Sequence, residues 1–154
     1  MKTELMILNR LKEVIATQLN DYLEEDADYS GILEEIDEKN VVIDYPDIDN
    51  MPKNTMFYIQ PDFEEMADLS MATDFADMKV IIYIICKGAK SETLIKRVFG
   101  YYSALFALIR NNQTLDYMVD FSKINNMDYY PSVTASSIMS AIEVGANIQW
   151  SKLF

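Results

Sequence analysis

The sequence predicts an α+β fold, in which two long helices pack on one face of a mostly antiparallel sheet. Two long segments, 3–24 and 92–111, carry apolar residues at helical spacing, and several shorter segments have the composition of strands. Only one helix lies between β elements, so hairpin connections should dominate. The 154 residues are 50% hydrophobic and 25% charged, which is typical of a globular chain, and we expect residues 1–154 to form a single domain.

The first element is an amphipathic helix over residues 3–24. Its apolar side chains recur at spacings of three and four and form one stripe, made of Leu5, Leu8, Leu11, Ile15, Leu19 and Tyr22. Two short β-branched and aromatic segments follow at 41–45 and 55–59, and each is ended by a proline. These two segments predict a β-hairpin with a rather long loop.

Residues 62–77 are acidic and carry methionines, but they have no proline, no glycine and no clean period. They predict a long loop or arm, which in a compact domain is usually functional or disordered. The clearest strand follows at 78–87, where 80–86 is nearly all apolar and β-branched. This run predicts a central strand that is buried on both faces.

The second helix is predicted over 92–111, with Ser91 as its N-cap and an Asn-Asn pair at its end. Small residues at helical spacing, Gly100 and Ser103 among them, should allow a sheet or a neighbouring helix to approach closely. A wide apolar face is predicted to be core, and it consists of Leu94, Ile95, Val98, Phe99, Tyr102, Leu105, Phe106 and Ile109.

The rest of the chain is predicted to be β-rich. Residues 114–121 alternate between apolar and polar side chains and predict a strand, whereas 122–131 contains another Asn-Asn pair and predicts a turn. Residues 138–150 alternate over a longer stretch and predict a half-buried antiparallel strand. Within that strand, Gly145 predicts a bend or a bulge.

The net charge of −12 is unevenly distributed along the chain. Residues 1–78 hold 20 acidic and 5 basic residues, a net of −15, whereas residues 79–154 hold 5 acidic and 8 basic residues, a net of +3. The two halves should therefore present different surfaces to a partner. An overall basic nucleic-acid-binding protein is excluded as the default, because neutralising phosphates needs Lys and Arg.

The sequence contains few of the residues and motifs that usually support catalysis. It has no histidine, which removes His-based triads and His-ligated zinc. Its single cysteine, Cys86, lies in the apolar run and should be a buried small residue. The acidic turn that starts at Asp47 has Pro52 where a calcium loop needs glycine. We therefore expect no enzyme, no cofactor and no metal.

The sequence also bears on the compartment. The longest apolar run, 80–86, is far too short to span a membrane, and residues 1–10 lack the pattern of a signal peptide. A soluble protein of the cytoplasm is expected.

Methionine and tyrosine are abundant, with ten of each, and both are enriched at protein interfaces. The candidate contact residues on irregular segments are Met66, Met71, Phe75, Tyr129 and Tyr130. The candidate charged face consists of Asp62, Glu64, Glu65 and Asp68. The alternative, that these apolar side chains simply pack back on their own sheet, is equally open at this point.

The second half carries a recognisable order of features. It has the apolar strand KVIIYI at 79–84, a helix containing YYSAL at 101–105, a polar turn leading into Thr114 and Leu115, a tyrosine-containing loop, and a closing strand with AIEV at 141–144. Together with the N-terminal amphipathic helix, this order resembles the tail terminator proteins of long-tailed bacteriophages and the related minor tail, or head–tail joining, proteins. The resemblance covers 78–150, about half of the chain.

The resemblance implies a structural virion-assembly protein of a phage or prophage. Such proteins form a hexameric ring on the end of the tail tube, stop its polymerisation and present the docking surface for the head. The implied partners are other copies of the chain, the tail tube protein and the head-completion protein. DNA would pass through the ring without being specifically bound, and the protein would move from the host cytoplasm into the virion tail.

Other functions remain open from the sequence. A neck or head-completion protein belongs to the same structural class. A small acidic binding module that mimics nucleic acid would instead present carboxylates to a basic partner. An enzyme that uses carboxylates and a metal would need a cleft of convergent acids.

Overall fold

The computed structural model describes residues 2–29, 31–47, 50–61, 75–88, 90–112, 121–131 and 140–151. Two α-helices and five strands lie within these ranges. In chain order they are α1 (Lys2–Gln18), β1 (Val41–Ile43), β2 (Thr55–Pro61), β3 (Phe75–Cys86), α2 (Ser91–Asn111), β4 (Phe121–Pro131) and β5 (Ser140–Ser151). The predicted α+β class is confirmed, and both long helices lie close to where the apolar periodicity places them.

The five strands form one mixed sheet in the order β1-β2-β3-β5-β4. Strand β1 runs parallel to β2, while the other three pairs are antiparallel. The sheet is therefore mixed and not the mostly antiparallel sheet that was predicted, and the predicted hairpin between the first two strands is wrong. Strand β1 is only three residues long, and residues 44–54 are enough to carry the chain back to the beginning of β2, so a parallel pairing is sterically open.

Strand β3 lies at the centre of the sheet, as predicted. Ile84 is paired with Phe57 on β2 and with Ile142 on β5. On one face, Ile82 and Ile84 are fully buried. On the other face, Ile85 is buried whereas Tyr83 is only half-buried.

Both helices pack on the same face of the sheet and build the main core there. Helix α1 contacts β1 and β2, and α2 contacts β3, β4 and β5. The cluster joins Ile7, Leu8, Leu11, Val14 and Ile15 of α1 and Leu94, Val98, Tyr101, Leu105 and Leu108 of α2 to Phe57, Ile59, Val80, Ile82 and Ile84 of the sheet. Each fully buried side chain of this size stabilises the fold by about 1.5–3 kcal/mol.

The opposite face of the sheet carries a smaller cluster. Met56, Tyr58 and Ile85 are buried there together with Met51, which belongs to the connection from β1 to β2. The Tyr58 hydroxyl also reaches the carbonyl oxygen of Asp47 in the same connection, at 3.5 Å. The connection that makes the β1–β2 pair parallel therefore contributes to the apolar contacts of this second face.

The tail of the chain corrects one prediction and bears on a second. Residues 122–131, predicted as a turn, form β4, which pairs with β5 along its length. The register shifts between Ile124 and Asn126, opposite Ala146 and Gly145, so the Asn-Asn pair produces a β-bulge rather than a turn. The irregularity predicted at Gly145 is thus confirmed, although the extra residue lies on β4.

The predicted loop over 62–77 is wrong for its last three residues. Phe75, Ala76 and Asp77 extend β3, because they pair with Ser151, Trp150 and Gln149 of the long β5. Residues 62–74 lie outside the described residues, as do 113–120, which hold most of the strand predicted over 114–121.

Helix α2 begins at Ser91, so Lys90 occupies the N-cap position that was predicted for Ser91. At the other end, Asn112 closes the helix as predicted, but not through a left-handed conformation, since its φ is −131°. Instead, its side-chain amide donates a hydrogen bond to the carbonyl oxygen of Leu108 at 3.0 Å. This bond satisfies one of the carbonyls that every helix end leaves without an intrahelical partner.

We expect Asn40→Ala to lower the free energy of unfolding by about 1–3 kcal/mol. The buried amide of Asn40 donates to the Thr55 carbonyl at 2.9 Å, and its oxygen accepts from the Asp37 backbone N–H at 2.9 Å. The change removes both bonds and leaves the carbonyl at the start of β2 without this donor. Urea unfolding followed by circular dichroism measures the effect.

Asn50→Ala is the matched control. Its amide donates only to the exposed carboxylate of Asp47 in the same connection, so stability should change by no more than about 0.5 kcal/mol. Equal losses in the two variants would contradict the role given to Asn40.

Candidate functional site

The most acidic described segment lies against helix α2. Residues 19–38 carry nine acidic residues and no basic one. Asn20 fastens the two ends of this segment together, since its amide donates to the Ile36 carbonyl and accepts from the Ile36 N–H, both at 2.8 Å. The segment is therefore a defined surface that is closed on itself by one side chain.

Tyr101 joins this acidic segment to the helix and the sheet. Its hydroxyl donates to the carbonyl oxygen of Glu34 at 2.7 Å and accepts from the Glu34 N–H at 3.0 Å. Its ring meets Phe57 of β2 edge to face, with centroids 5.6 Å apart and planes at 85°. Burial raises the pKa of Tyr101 to about 12, so the group is a neutral phenol at physiological pH and serves as a structural tie.

Two further side chains of α2 hold the same segment. Arg97 donates to the carbonyl oxygen of Ile32 at 3.3 Å and to the Glu34 carboxylate at 3.4 Å. Ser103 donates to the Asp26 carboxylate at 3.2 Å. Because Glu34 is exposed, its ion pair with Arg97 is worth little, and the bond to a backbone carbonyl contributes to positioning.

Gly100 lies where the segment approaches the helix most closely. A Cβ at this position would be 2.7 Å from Cδ2 of Leu33 and 3.1 Å from Cβ of Tyr29. The predicted close approach at the small residues is confirmed. The neighbour is the acidic connection rather than the sheet.

A polar cavity of about 270 Å³ lies beside this junction. It is lined by Glu34, Glu35, Ile36, Asp37, Asn40, Lys53, Asn54, Thr55 and Tyr101. Its buried polar atoms are already engaged: the Tyr101 hydroxyl bonds the Glu34 backbone, and the Asn40 amide bonds Thr55. Cys86, buried as predicted, accepts a long contact from the Thr55 hydroxyl at 3.8 Å. The arrangement therefore stabilises the junction of segment, helix and sheet.

The second feature is a row of apolar side chains on the outer side of α2, which we call the aromatic row. Its members are Ile95, Phe99, Tyr102 and Phe106, at spacings of four, three and four. The inward row of Leu94, Val98, Tyr101, Leu105 and Leu108 is buried. One residue is about 100° of helix, so the aromatic row lies beside the inward row, and its two middle members, Phe99 and Tyr102, still pack against the core cluster. Ile95 and Phe106 are exposed, and Phe99 and Tyr102 are half-buried.

The aromatic row forms one side of a shallow groove of about 370 Å³. The rings of Tyr102 and Phe106 lie 6.4 Å apart at 48°, and the other side of the groove is built by Tyr29 and Asp26 of the acidic segment. An apolar floor with an acidic rim is suited to a partner that presents an apolar side chain beside a cation.

Two of the residues predicted to form a contact surface, Phe75 and Tyr129, are not brought together. Phe75 begins β3 opposite Ser151, whereas Tyr129 pairs with Ile142. These two positions are nine residues apart along β5, about 30 Å. Tyr129 and Tyr130 lie in strand β4 rather than in the predicted turn. The other predicted site residues, Met66, Met71, Asp62, Glu64, Glu65 and Asp68, lie outside the described residues.

The sequence prediction assigned the whole apolar face of this helix to the core and so did not separate the aromatic row from the inward row. The assignment is confirmed for Phe99 and Tyr102, which pack against the core cluster, and is wrong for Ile95 and Phe106, which are exposed. The available signal was the width of the apolar face. A helix that packs on one sheet needs a stripe of a little over 100°, and the face predicted here covers two rows. Tyr101 was also left out of the predicted core, although the structure buries it completely.

Comparison with protein-family models and with curated proteins finds no match for this sequence. Among the described residues, no cluster of three or more Cys, Asp or Glu side chains is arranged to hold a metal ion. Within the same ranges, neither helix has the length and apolar character needed to cross a membrane.

Tyr101→Phe should lower the free energy of unfolding by about 1–3 kcal/mol. The change keeps the ring against Phe57 and removes the hydroxyl that bonds both backbone atoms of Glu34. Tyr102→Phe is the matched control, because Tyr102 is the next residue along the helix and lies on the aromatic row. Its free energy of unfolding should stay within about 0.5 kcal/mol of that of the unchanged protein. Chemical denaturation of the three proteins measures both differences, and a Tyr101→Phe variant with unchanged stability would contradict the structural role given to the hydroxyl.

Stability should also fall at alkaline pH. Burial raises the pKa of the Cys86 thiol from 9.0 to about 12, and that of the Tyr101 phenol from 10.0 to about 12. The folded chain keeps these protons while the unfolded chain releases them. Their contribution is therefore complete below about pH 9 and is lost as the pH rises from there towards 12.

Urea midpoints measured from pH 8 to pH 11 test this expectation. Cys86→Ala should make the decline between pH 9 and pH 10 shallower, because the unfolded thiol is the first of the two groups to ionise. The same slope with and without the thiol would show that Cys86 has no part in it.

Proposed function

We propose that this chain is a structural virion-assembly protein of a phage or prophage, acting as a tail terminator. It closes the end of the tail tube as a ring and forms the docking surface for the head. Its partners are other copies of itself, the tail tube protein and the head-completion protein. It works in the host cytoplasm during assembly and then remains in the virion tail.

The observation that carries the proposal is the continuity of the segment that resembles tail terminators. Residues 78–150 include most of β3, all of α2 and β4, and nearly all of β5. These elements are neighbours in the sheet, in the order β3-β5-β4, and α2 contacts all three strands. Of the features that suggested the family, the apolar strand, the helix and the closing strand thus pack together, whereas the tyrosines expected in a loop belong to strand β4.

The surface of α2 supports an assembly role. Two members of the aromatic row, Ile95 and Phe106, are exposed, and Phe106 lines the groove together with Phe99 and Tyr102. Exposed apolar side chains that line a groove with a polar rim often belong to a protein–protein contact. This feature favours a chain whose work is done by binding other proteins.

The charge supports passage of DNA without binding. The acidic segment carries nine negative charges, and a surface of that sign repels phosphates. In a ring, acidic residues that face the opening would let DNA slide through.

A small acidic module that binds a basic partner is the second candidate, and the same segment favours it. Residues 19–38 are held as a defined surface by Asn20, Tyr101 and Arg97. A fixed array of carboxylates is what a mimic of nucleic acid would offer. A neck or head-completion protein, in the same class as the main proposal, would dock on the head instead of the tube.

Tail tubes assembled from the tube protein of the same genome test the proposal. Added chain should stop their elongation, and negative-stain electron microscopy should show a ring at one end of each tube. The physical reason is that a ring seated on the growing end occupies the surface on which the next tube subunit binds.

Tubes that continue to lengthen, with the chain free in solution, would contradict the terminator role. Binding to DNA-filled heads without tails would point to the neck protein. Formation of a one-to-one complex with a basic protein, with no ring, would point to the acidic module.

A further inference from the structure

We infer that helix α1 of one copy docks in the groove on helix α2 of a second copy, with Leu5 and Met6 on the aromatic row. The contact is head to tail. This inference rests on the proposed ring-forming function and deepens it, because it names the two surfaces that meet between neighbouring subunits.

The receiving surface is the groove of the aromatic row. Its floor is formed by Phe99, Tyr102 and Phe106, and Phe106 is 44% exposed. Its rim carries Asp26. Three neighbouring acidic residues of the same segment, Glu24, Glu25 and Asp28, are exposed. This surface therefore combines an apolar floor with a negative rim.

The inserting surface is the first half of α1. Leu5 is 54% exposed and Met6 is 55% exposed, although both lie in a helix whose other apolar side chains are largely buried. Helix α1 carries three basic residues, Lys2, Arg10 and Lys12, against two acids, Glu4 and Glu13. Arg10 is ion-paired with Glu13 at 3.2 Å, and the helix keeps a net charge of +1. This stretch thus combines exposed apolar side chains with a small positive charge, the complement of the groove and its rim.

The two surfaces lie over different parts of the sheet. Helix α1 contacts β1 and β2, at one edge, whereas α2 contacts β3, β4 and β5, towards the other edge. The exposure of Leu5, Met6 and Phe106 shows that neither surface covers the other within one chain. A contact between two different patches is heterologous, and repeated contacts of this kind close into a ring when the rotation allows it.

A second copy satisfies both patches at once, and this is why we commit to it as the occupant. Each subunit would offer one groove and one α1 patch, so a closed ring would leave neither of them open to solvent. A foreign partner of basic and apolar character would fill the groove and leave Leu5 and Met6 exposed.

Disulfide trapping between engineered cysteines tests the contact directly. A Met6→Cys chain is mixed with a Phe106→Cys chain and oxidised, both alone at high concentration and with tail tubes present. The native Cys86 is 1% exposed and its pKa is raised to about 12 by burial, so it does not compete. We expect a linked two-chain product in the mixture, several-fold more abundant than in either chain oxidised separately.

The matched control replaces the α1 cysteine with Tyr45→Cys, a position that is 70% exposed and lies in the connection after β1. Mixed with the Phe106→Cys chain, it should give only the background of random collisions. All three substitutions are at exposed side chains, so the variants should fold. Thermal unfolding of each chain verifies this.

Carrying Met6→Cys and Phe106→Cys on one chain extends the test. A head-to-tail contact should then give a ladder of linked chains that ends at the number of subunits in the ring. Efficient linking of the Phe106→Cys chain to itself would indicate a two-fold contact between aromatic rows and would overturn the inference. A mixture that links no better than the Tyr45→Cys control would overturn it as well.

These outcomes separate the inference from the function on which it rests. Tubes that are capped by the chain, without trapping between positions 6 and 106, would leave the terminator role standing and remove this contact. Specific trapping together with uncapped tubes would keep the contact and remove the terminator role.

Discussion

The hydroxyl of Tyr101 is the contact on which the arrangement of this protein depends. It bonds both the N–H and the carbonyl of Glu34, while its ring lies edge to face against Phe57. One buried side chain thereby joins α2, the sheet and the acidic segment. Arg97 and Ser103 donate hydrogen bonds to the same segment. Gly100 lets the segment pack closely on the helix, because it has no side chain there. Because so many contacts converge there, the acidic segment has a fixed place beside α2.

That fixed place creates the groove. The inward row of α2 is buried in the core, and the aromatic row lies beside it, on the side of the helix where the acidic segment passes. Tyr29 and Asp26 then face Phe106 across a shallow depression. The same junction that stabilises the fold therefore also sets an apolar surface and a negative rim side by side, which is the arrangement from which we infer contact between copies.

The sequence predicted the fold better than it predicted the candidate site. Apolar periodicity can tell that a helix has a wide apolar face, but it cannot tell which of two rows meets the sheet, because both have the same spacing. Phe106 and Leu105 are adjacent and equally apolar, yet one is exposed and the other buried. The abundance of methionine and tyrosine pointed to a contact surface that included Phe75, Tyr129 and Tyr130, but the sheet register places Phe75 far from the two tyrosines.

The sequence by itself determined the elements whose signal is local and long: α1, α2, the central β3 and the closing β5, and hence the α+β class. Only the tertiary structure decided that β1 is parallel to β2 and that 122–131 is a strand with a bulge instead of a turn. The physical reason is that a strand's hydrogen-bond partners are distant in sequence. Local preferences of about 1 kcal/mol are easily outweighed by the pairing and burial that those partners supply.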